Sequence, residues 1–157
     1  LINIFTDGSS RGNPGRGGFG TILISGNHRK EISQGYRLTT NNRMELMSVI
    51  AGLEALKRKG EEVMVYSDSK YVVDAVEKGW LHGWIAKQFK GKKNKDLWLR
   101  FYKIFKDHKV KFHWIKGHNE HPLNERCDEL AVAAALGNNL LPDEGYERGE
   151  KNDLFPG

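Results

Sequence analysis

INIFTDG, Ile2 to Gly8, is an apolar run closed by one acid and a glycine. Ile2, Ile4 and Thr6 alternate with Asn3, Phe5 and Asp7, and the β-branched content predicts a strand ending at the acid. A carboxylate at the open end of a sheet lies where folds of this kind place their chemistry. Glu45, Asp68 and Asp128 stand at comparable junctions, so the chain is expected to gather four carboxylates.

Outward from that strand, a glycine-rich stretch holding Gly8, Gly12, Gly15, Gly17, Gly18 and Gly20 with Pro14 is expected to be a loop. Residues 21–25 and 30–37 read as strands joined at Gly26-Asn27, giving an antiparallel meander with the first. From Asn42 to Lys59 the period becomes helical, with Leu46, Val49, Ile50, Leu53 and Leu56 on one face and Gly60 as its close. Residues 63–68 form a short strand, and Ser69 can cap a helix running to about Lys78. Residues 80–93 read as an irregular basic and aromatic segment, 94–106 as a helix, 110–115 as a strand, 116–122 as a loop and 125–136 as a helix. The order β-β-β-α-β-α-α-β-α predicts an α/β fold. Its sheet is mixed, with five strands, three in the meander and two parallel, and helices on both faces.

At 157 residues the chain reads as one domain, residues 1–136, long enough to bury about two-thirds of its unfolded surface. Residues 137–157 read as a tail, loose or packed on the surface. Cys127 is the single cysteine, which excludes an intramolecular disulfide and fits a reducing compartment. No apolar run is long enough to span a bilayer and no charged-then-apolar leader opens the chain, so no membrane is expected and the cytoplasm is the expected location. The 25 basic and 20 acidic residues leave a net charge of +5, a weak pointer to a polyanion. Distribution is sharper: Lys87, Lys90, Lys92, Lys93 and Lys95 follow one another without an acid between.

Four carboxylates in a partly dry site repel, and a divalent cation is the natural neutraliser. Hard oxygen donors favour Mg²⁺ or Mn²⁺, and two such ions about 4 Å apart suit phosphodiester hydrolysis. Each acid also has a plainer reading. Asn42 and Glu45 fit a capping box, Asp68 a helix start, Asp7-Gly8 a turn, and Asp128 a first-turn acid on a helix dipole. His113, His118, His121 and Cys127 suggest zinc, but one cysteine without a paired ligand motif argues against it.

FTDGS at 5–9, GNPG at 12–15, TTNNRMEL at 39–46, SDSKYV at 67–72 and KGHNEHPLNERCDELA at 116–131 together resemble type 1 ribonuclease H of the freestanding bacterial type. The resemblance implies an RNase H-like fold and endonucleolytic cleavage of the RNA strand of an RNA–DNA hybrid. Two Mg²⁺ ions serve the cleavage, with Mn²⁺ able to substitute, and 3′-hydroxyl and 5′-phosphate ends result. It implies that Asp7 bridges both ions, Asp128 helps hold the ion that activates water, and Glu45 and Asp68 serve the ion at the leaving oxygen. His118 matches a mobile histidine that moves protons or assists product release. Ser10, Gly12, Asn13, Asn41 and Asn42 resemble minor-groove and 2′-hydroxyl contacts, for which turn chemistry is the plain alternative. Trp80, Lys87, Lys90, Lys92 and Lys93 resemble a basic protrusion that grips the DNA strand, with Trp84 expected to pack. Thr40 and Asn94 resemble a DNA-phosphate pocket, although Leu38 stands where that pocket often has a basic residue. A monomer acting on the hybrid is expected. The alternatives are a non-catalytic hybrid-binding module and a related metal-dependent nuclease such as a junction resolvase or a retroviral-type domain.

Overall fold

Strand β1 (Ile2–Arg11) is the centre of the sheet. On one side it pairs antiparallel with β2 (Gly15–Ser25), and on the other it pairs parallel with β4 (Glu62–Ser67) from Ile2↔Val63 to Phe5↔Tyr66. The computed structural model describes residues 1–116 and 121–149. With β3 (His28–Thr39), β5 (Lys109–Trp114) and β6 (Leu140–Leu141), the sheet has six strands in the order β5-β4-β1-β2-β3-β6. The expected three-strand meander and two parallel strands are all present. The sixth strand is an addition to the expected five: Leu140 and Leu141 pair with Gly35 and Tyr36 on the outer edge of β3.

Period-two alternation sorts β1 onto two faces. Ile4 joins the larger core with Phe19, Leu23, Ile50, Leu53 and Val65, under α1 (Asn41–Glu54) and α4 (Lys95–Phe105). Phe5 joins Ile22 and Cys127 on the opposite face, under α5 (Pro122–Leu136). Trp98 and Phe101, both fully buried, carry α4 onto the larger core, stacked edge-on at 5.6 Å.

The glycine-rich stretch is not the expected loop. Only residues 12–14 turn, with Gly12 at φ +85°, and the neighbouring glycines lie within β1 and β2. The reason is the helix above them. A Cβ on Gly18, Gly20 or Gly35 would collide with the main-chain carbonyl of Ala131, Cys127 or Ala134 in α5, so the helix lies directly on strand backbone. Asp7 is accordingly not at the end of a strand. It sits within β1, opposite Gly20, just past the last residue paired with β4.

Helix α1 is shorter than residues 42–59 and its cap is not the Asn42–Glu45 box. Thr40 is the N-cap, its hydroxyl accepting from the Arg43 amide at 3.3 Å, which leaves Asn42 and Glu45 free to face the sheet edge. Ser69 caps α2 (Lys70–Glu77) as expected, accepting from the Val72 amide. The segment expected to be irregular contains a short helix, α3 (Trp80–Ala86), because Leu81 and Phe89 are buried and anchor it. Beyond Gly137 the chain returns to the sheet through β6 and α6 (Glu144–Arg148). Arg16 holds the end of α5, donating to the Ala135 and Gly137 carbonyls at 3.0 and 2.6 Å. Among the described residues no helix is long and apolar enough to cross a membrane.

Candidate active site

Continuing the β1–β4 register past Phe5↔Tyr66 sets Asp7 level with Asp68, so parallel pairing alone brings two acids to one edge. Glu45 arrives from the first turns of α1. A Cβ on Gly8 would overlap the Met44 carbonyl group and crowd the Glu45 amide, so α1 meets β1 backbone to backbone beside Asp7. Carboxylate oxygens of Asp7, Glu45 and Asp68 all lie within 4.8 Å of one another. Asp128, two turns into α5, lines the same cavity from the opposite face, outside that triad. The cavity holds about 400 Å³ and is also lined by Ser9, Asn41, Asn42, Ser69 and Tyr71.

The electrostatics follow from this crowding. Asp7 is buried, its Oδ1 accepting from the Gly8 amide at 2.9 Å. Glu45 is half-buried as a residue, but its carboxyl group is enclosed by protein. That burial, and next the charges of Asp7 and Asp68, push its pKa well above the ordinary 4.5. Glu45 Oε1 is buried without a hydrogen-bond partner. A cluster built from hard oxygens, in which Glu45 resists ionisation and holds an unsatisfied buried acceptor, fits a hard divalent cation. Neither His113, His121 nor Cys127 belongs to a metal-capable group among the described residues, and the thiol of Cys127 is buried, donating to the Phe5 carbonyl at 3.2 Å.

The full sequence matches the family model for RNase H over residues 1–136. The chain belongs to the RNase H family. Ribonuclease H of Desulforamulus reducens is 53% identical over 147 residues, covering 90% of this chain and 92% of its relative. That of Rippkaea orientalis is 52% identical over 151 residues, covering 93% and 92%. Among solved structures, LC9-RNase H1, described as a type 1 RNase H with the type 2 active-site motif, superposes with a TM-score of 0.78. It is 32% identical, with 98% of this chain and 82% of that one covered. LC11-RNase H1 in complex with an RNA/DNA hybrid superposes with a TM-score of 0.66 at 26% identity, covering 86% and 96%.

The remaining candidate residues fall into three places. Ser10, Asn13 and Asn41 are tied together beside the carboxylates. Asn41 Oδ1 accepts from the Ser10 amide at 2.7 Å and its hydroxyl at 3.0 Å, and Asn13 Oδ1 accepts from the Asn41 amide at 3.1 Å. Gly12 makes the turn of that loop, and Asn42 lines the cavity. Trp80, Lys87, Lys90, Lys92 and Lys93 are exposed on and after α3, whereas Trp84 packs edge-on against Trp98 at 5.7 Å with Lys92 over its ring. Thr40 caps α1. Asn94 is buried, its amide donating to the Tyr71 hydroxyl at 3.0 Å and accepting from Arg43 at 3.3 Å. His118 lies outside the described residues. His121 caps α5, accepting from the Leu123 amide, and stacks on Phe5 at 4.8 Å.

Sequence reasoning passed over Arg43, although it lies inside TTNNRMEL. Its guanidinium is fully buried between two carboxylates, bonded to Asp143 at 2.8 and 2.8 Å and to Asp96 at 2.8 and 2.7 Å. Asp143 also accepts from the Thr39 hydroxyl at 2.6 Å, so the segment after α5 fastens the start of α1. The available signal was the position: Arg43 precedes Leu46 and Ile50 at helical spacing, on the apolar stripe, where an arginine demands acidic partners.

Proposed function

We propose that the chain hydrolyses the RNA strand of RNA–DNA hybrids by two-metal-ion catalysis, leaving 3′-hydroxyl and 5′-phosphate ends. The observation that carries this reading is the convergence of Asp7, Glu45 and Asp68 within 4.8 Å in a member of the RNase H family. Bound Mg²⁺, with Mn²⁺ as a substitute, would make a water nucleophilic near neutral pH and neutralise the departing oxygen. Asp7, buried on the central strand, would be the shared ligand. Asp128 would serve the water side from α5, and Glu45 and Asp68 would serve the leaving-group side. His118 is assigned proton movement, a role suited to an imidazole.

Ser10, Gly12, Asn13, Asn41 and Asn42 lie beside the carboxylates and are assigned the RNA strand, where amides and small polar groups can meet 2′-hydroxyls. Thr40 and Asn94 are assigned a phosphate of the DNA strand, with Arg43 holding the Asn94 side chain by a hydrogen bond to its Oδ1. Trp80, 46% exposed, and the lysines after α3 are assigned the DNA backbone. The chain acts as a cytoplasmic monomer in this reading.

Labelled RNA–DNA hybrid, RNA duplex and DNA duplex, each with Mg²⁺ and with chelator, test the reaction directly. Cleavage confined to the RNA of the hybrid and lost in chelator is the expected result; equal cleavage of RNA duplex would overturn the substrate assignment. Replacing Lys87, Lys90, Lys92 and Lys93 with alanine is expected to weaken hybrid binding. The plot of log affinity against log salt should lose about 3 units of slope, roughly 0.7–0.9 per phosphate contact. An unchanged slope removes the protrusion from the interface.

A further inference from the structure

A row of rings crosses three strands of the sheet. Phe5↔Tyr66 and Tyr66↔His113 are paired positions on β1, β4 and β5, so the three side chains stand on one face, the face that α5 covers over β1. Phe5 is buried and lies parallel to Tyr66 at 4.5 Å, and His121, at the start of α5, stacks on Phe5. His113 follows Tyr66 at 5.5 Å and is exposed. The outer rings open onto a slot of about 300 Å³, at the lower end of the range for small-ligand sites. Among the described residues it is lined by Tyr66, His113, Trp114, Ile115, Lys116 and His121, of which four carry flat rings and none is an acid.

The slot adjoins the carboxylate cavity. Trp114, 37% exposed, donates from Nε1 to the Asp68 carbonyl at 3.3 Å. Lys70, which lines the carboxylate cavity, holds its ammonium 4.3 Å from the centre of the Trp114 ring. Along this edge of the sheet the order is the β1–β2 loop, Asp7 on β1, Asp68 after β4 and Trp114 at the end of β5. A strand that meets Ser10 and Asn41 on the loop side and crosses the acids therefore arrives next at Lys70, Trp114 and the slot.

We propose that the slot takes an unpaired base of an RNA strand that runs on, single-stranded, from the hybrid in the carboxylate cavity. The inference rests on the nuclease reading, which makes RNA the strand over the acids, and adds to it a preference for hybrid bordered by single-stranded RNA. Bases stack on aromatic faces whatever their sequence, and lysines beside the rings meet the phosphates between them. Lys116 lines the slot, Lys70 stands over Trp114, and Lys111 is exposed on the same face of β5 as His113. A base inside a duplex has both faces covered by its neighbours, so only an unpaired one can enter. An apolar peptide side chain would fill the slot and leave these cations unanswered.

Fluorescence anisotropy in chelator compares a blunt RNA–DNA hybrid with the same hybrid carrying a short oligouridine overhang on its RNA strand, at either end, or an abasic overhang of equal length. The expected result is binding about tenfold tighter with the uridine overhang at one end, and little gain from the abasic one. His113→Ala should reduce the gain to about twofold or less, whereas His113→Phe should keep it, because stacking needs the ring and not the imidazole nitrogens. Blunt-hybrid cleavage in Mg²⁺ should be unchanged in both variants, and thermal melts establish that substitution at this exposed position leaves the chain folded. Equal gain from the abasic overhang would make the surface a phosphate patch and overturn the proposal. So would an undiminished gain in His113→Ala, or a gain confined to an overhang on the DNA strand. A blunt hybrid that is cleaved but gains nothing from the overhang overturns this inference alone; a hybrid left uncut overturns the nuclease reading, and this inference with it.

Discussion

Asp7→Asn is expected to remove RNA-strand cleavage, by roughly 10³-fold or more, the scale seen when a principal charge-stabilising group is lost. The same variant is expected to be more stable than the parent in chelator. In the metal-free protein Glu45 is held above its ordinary 4.5, first by burial and then by the charges of Asp7 and Asp68. The folded form therefore binds that proton more tightly than the unfolded chain does. Its contribution to stability is complete below about 4.5 and declines as pH rises through the elevated value. A neutral side chain at position 7 removes one of the repelling charges, so the decline shrinks. Mg²⁺ bound by these acids would supply the missing positive charge and displace the proton, so the parent should gain more from it than the variant. Thermal melts across a pH series, with chelator and with Mg²⁺, measure both effects; a variant that cleaves hybrid at the parental rate would sink the shared-ligand assignment.

Arg43→Ala is expected to cost about 3–5 kcal/mol, the range for breaking a buried ion pair from one side. Against a total of about 5–15 kcal/mol for a domain, that approaches unfolding. Asp143 is left buried without its guanidinium, and Asp96 loses a two-pronged partner. Arg43→Lys should recover little, since one ammonium cannot replace two planar forks. Asp143→Asn, which keeps a hydrogen-bonding group, should cost less. Denaturant midpoints order the three variants. A loss near zero for Arg43→Ala would show that the triad contributes no net stability.

The ordering of elements was legible from periodicity because burial imposes it. Ile4 and Phe5 alternate between two cores, and Leu46, Ile50 and Leu53 mark one helical stripe. Asp7, Glu45 and Asp68 were legible as a group because a parallel strand pair and one helix start bring them together. What escaped is what local pattern does not encode. Gly18 and Gly20 read as loop formers because glycine is a turn residue in isolation; here their use, like that of Gly35, is the absence of a side chain under α5. Leu140 and Leu141 make too short a strand to show a period, and Asp143 gains its meaning only from Arg43, a hundred residues earlier.

The glycine contacts bear on how the site tolerates change elsewhere. At Gly8 and along Gly18, Gly20 and Gly35 the helices bearing Glu45 and Asp128 rest on main chain, with no side chain between them and the sheet. The spacing between the main chain of these helices and the sheet is thereby set by peptide thickness at those contacts. Exchange of hydrophobic residues deeper in either core is expected to cost stability before it alters that main-chain spacing. Any ion held between these acids would meet a frame whose main-chain spacing is set at those glycine contacts.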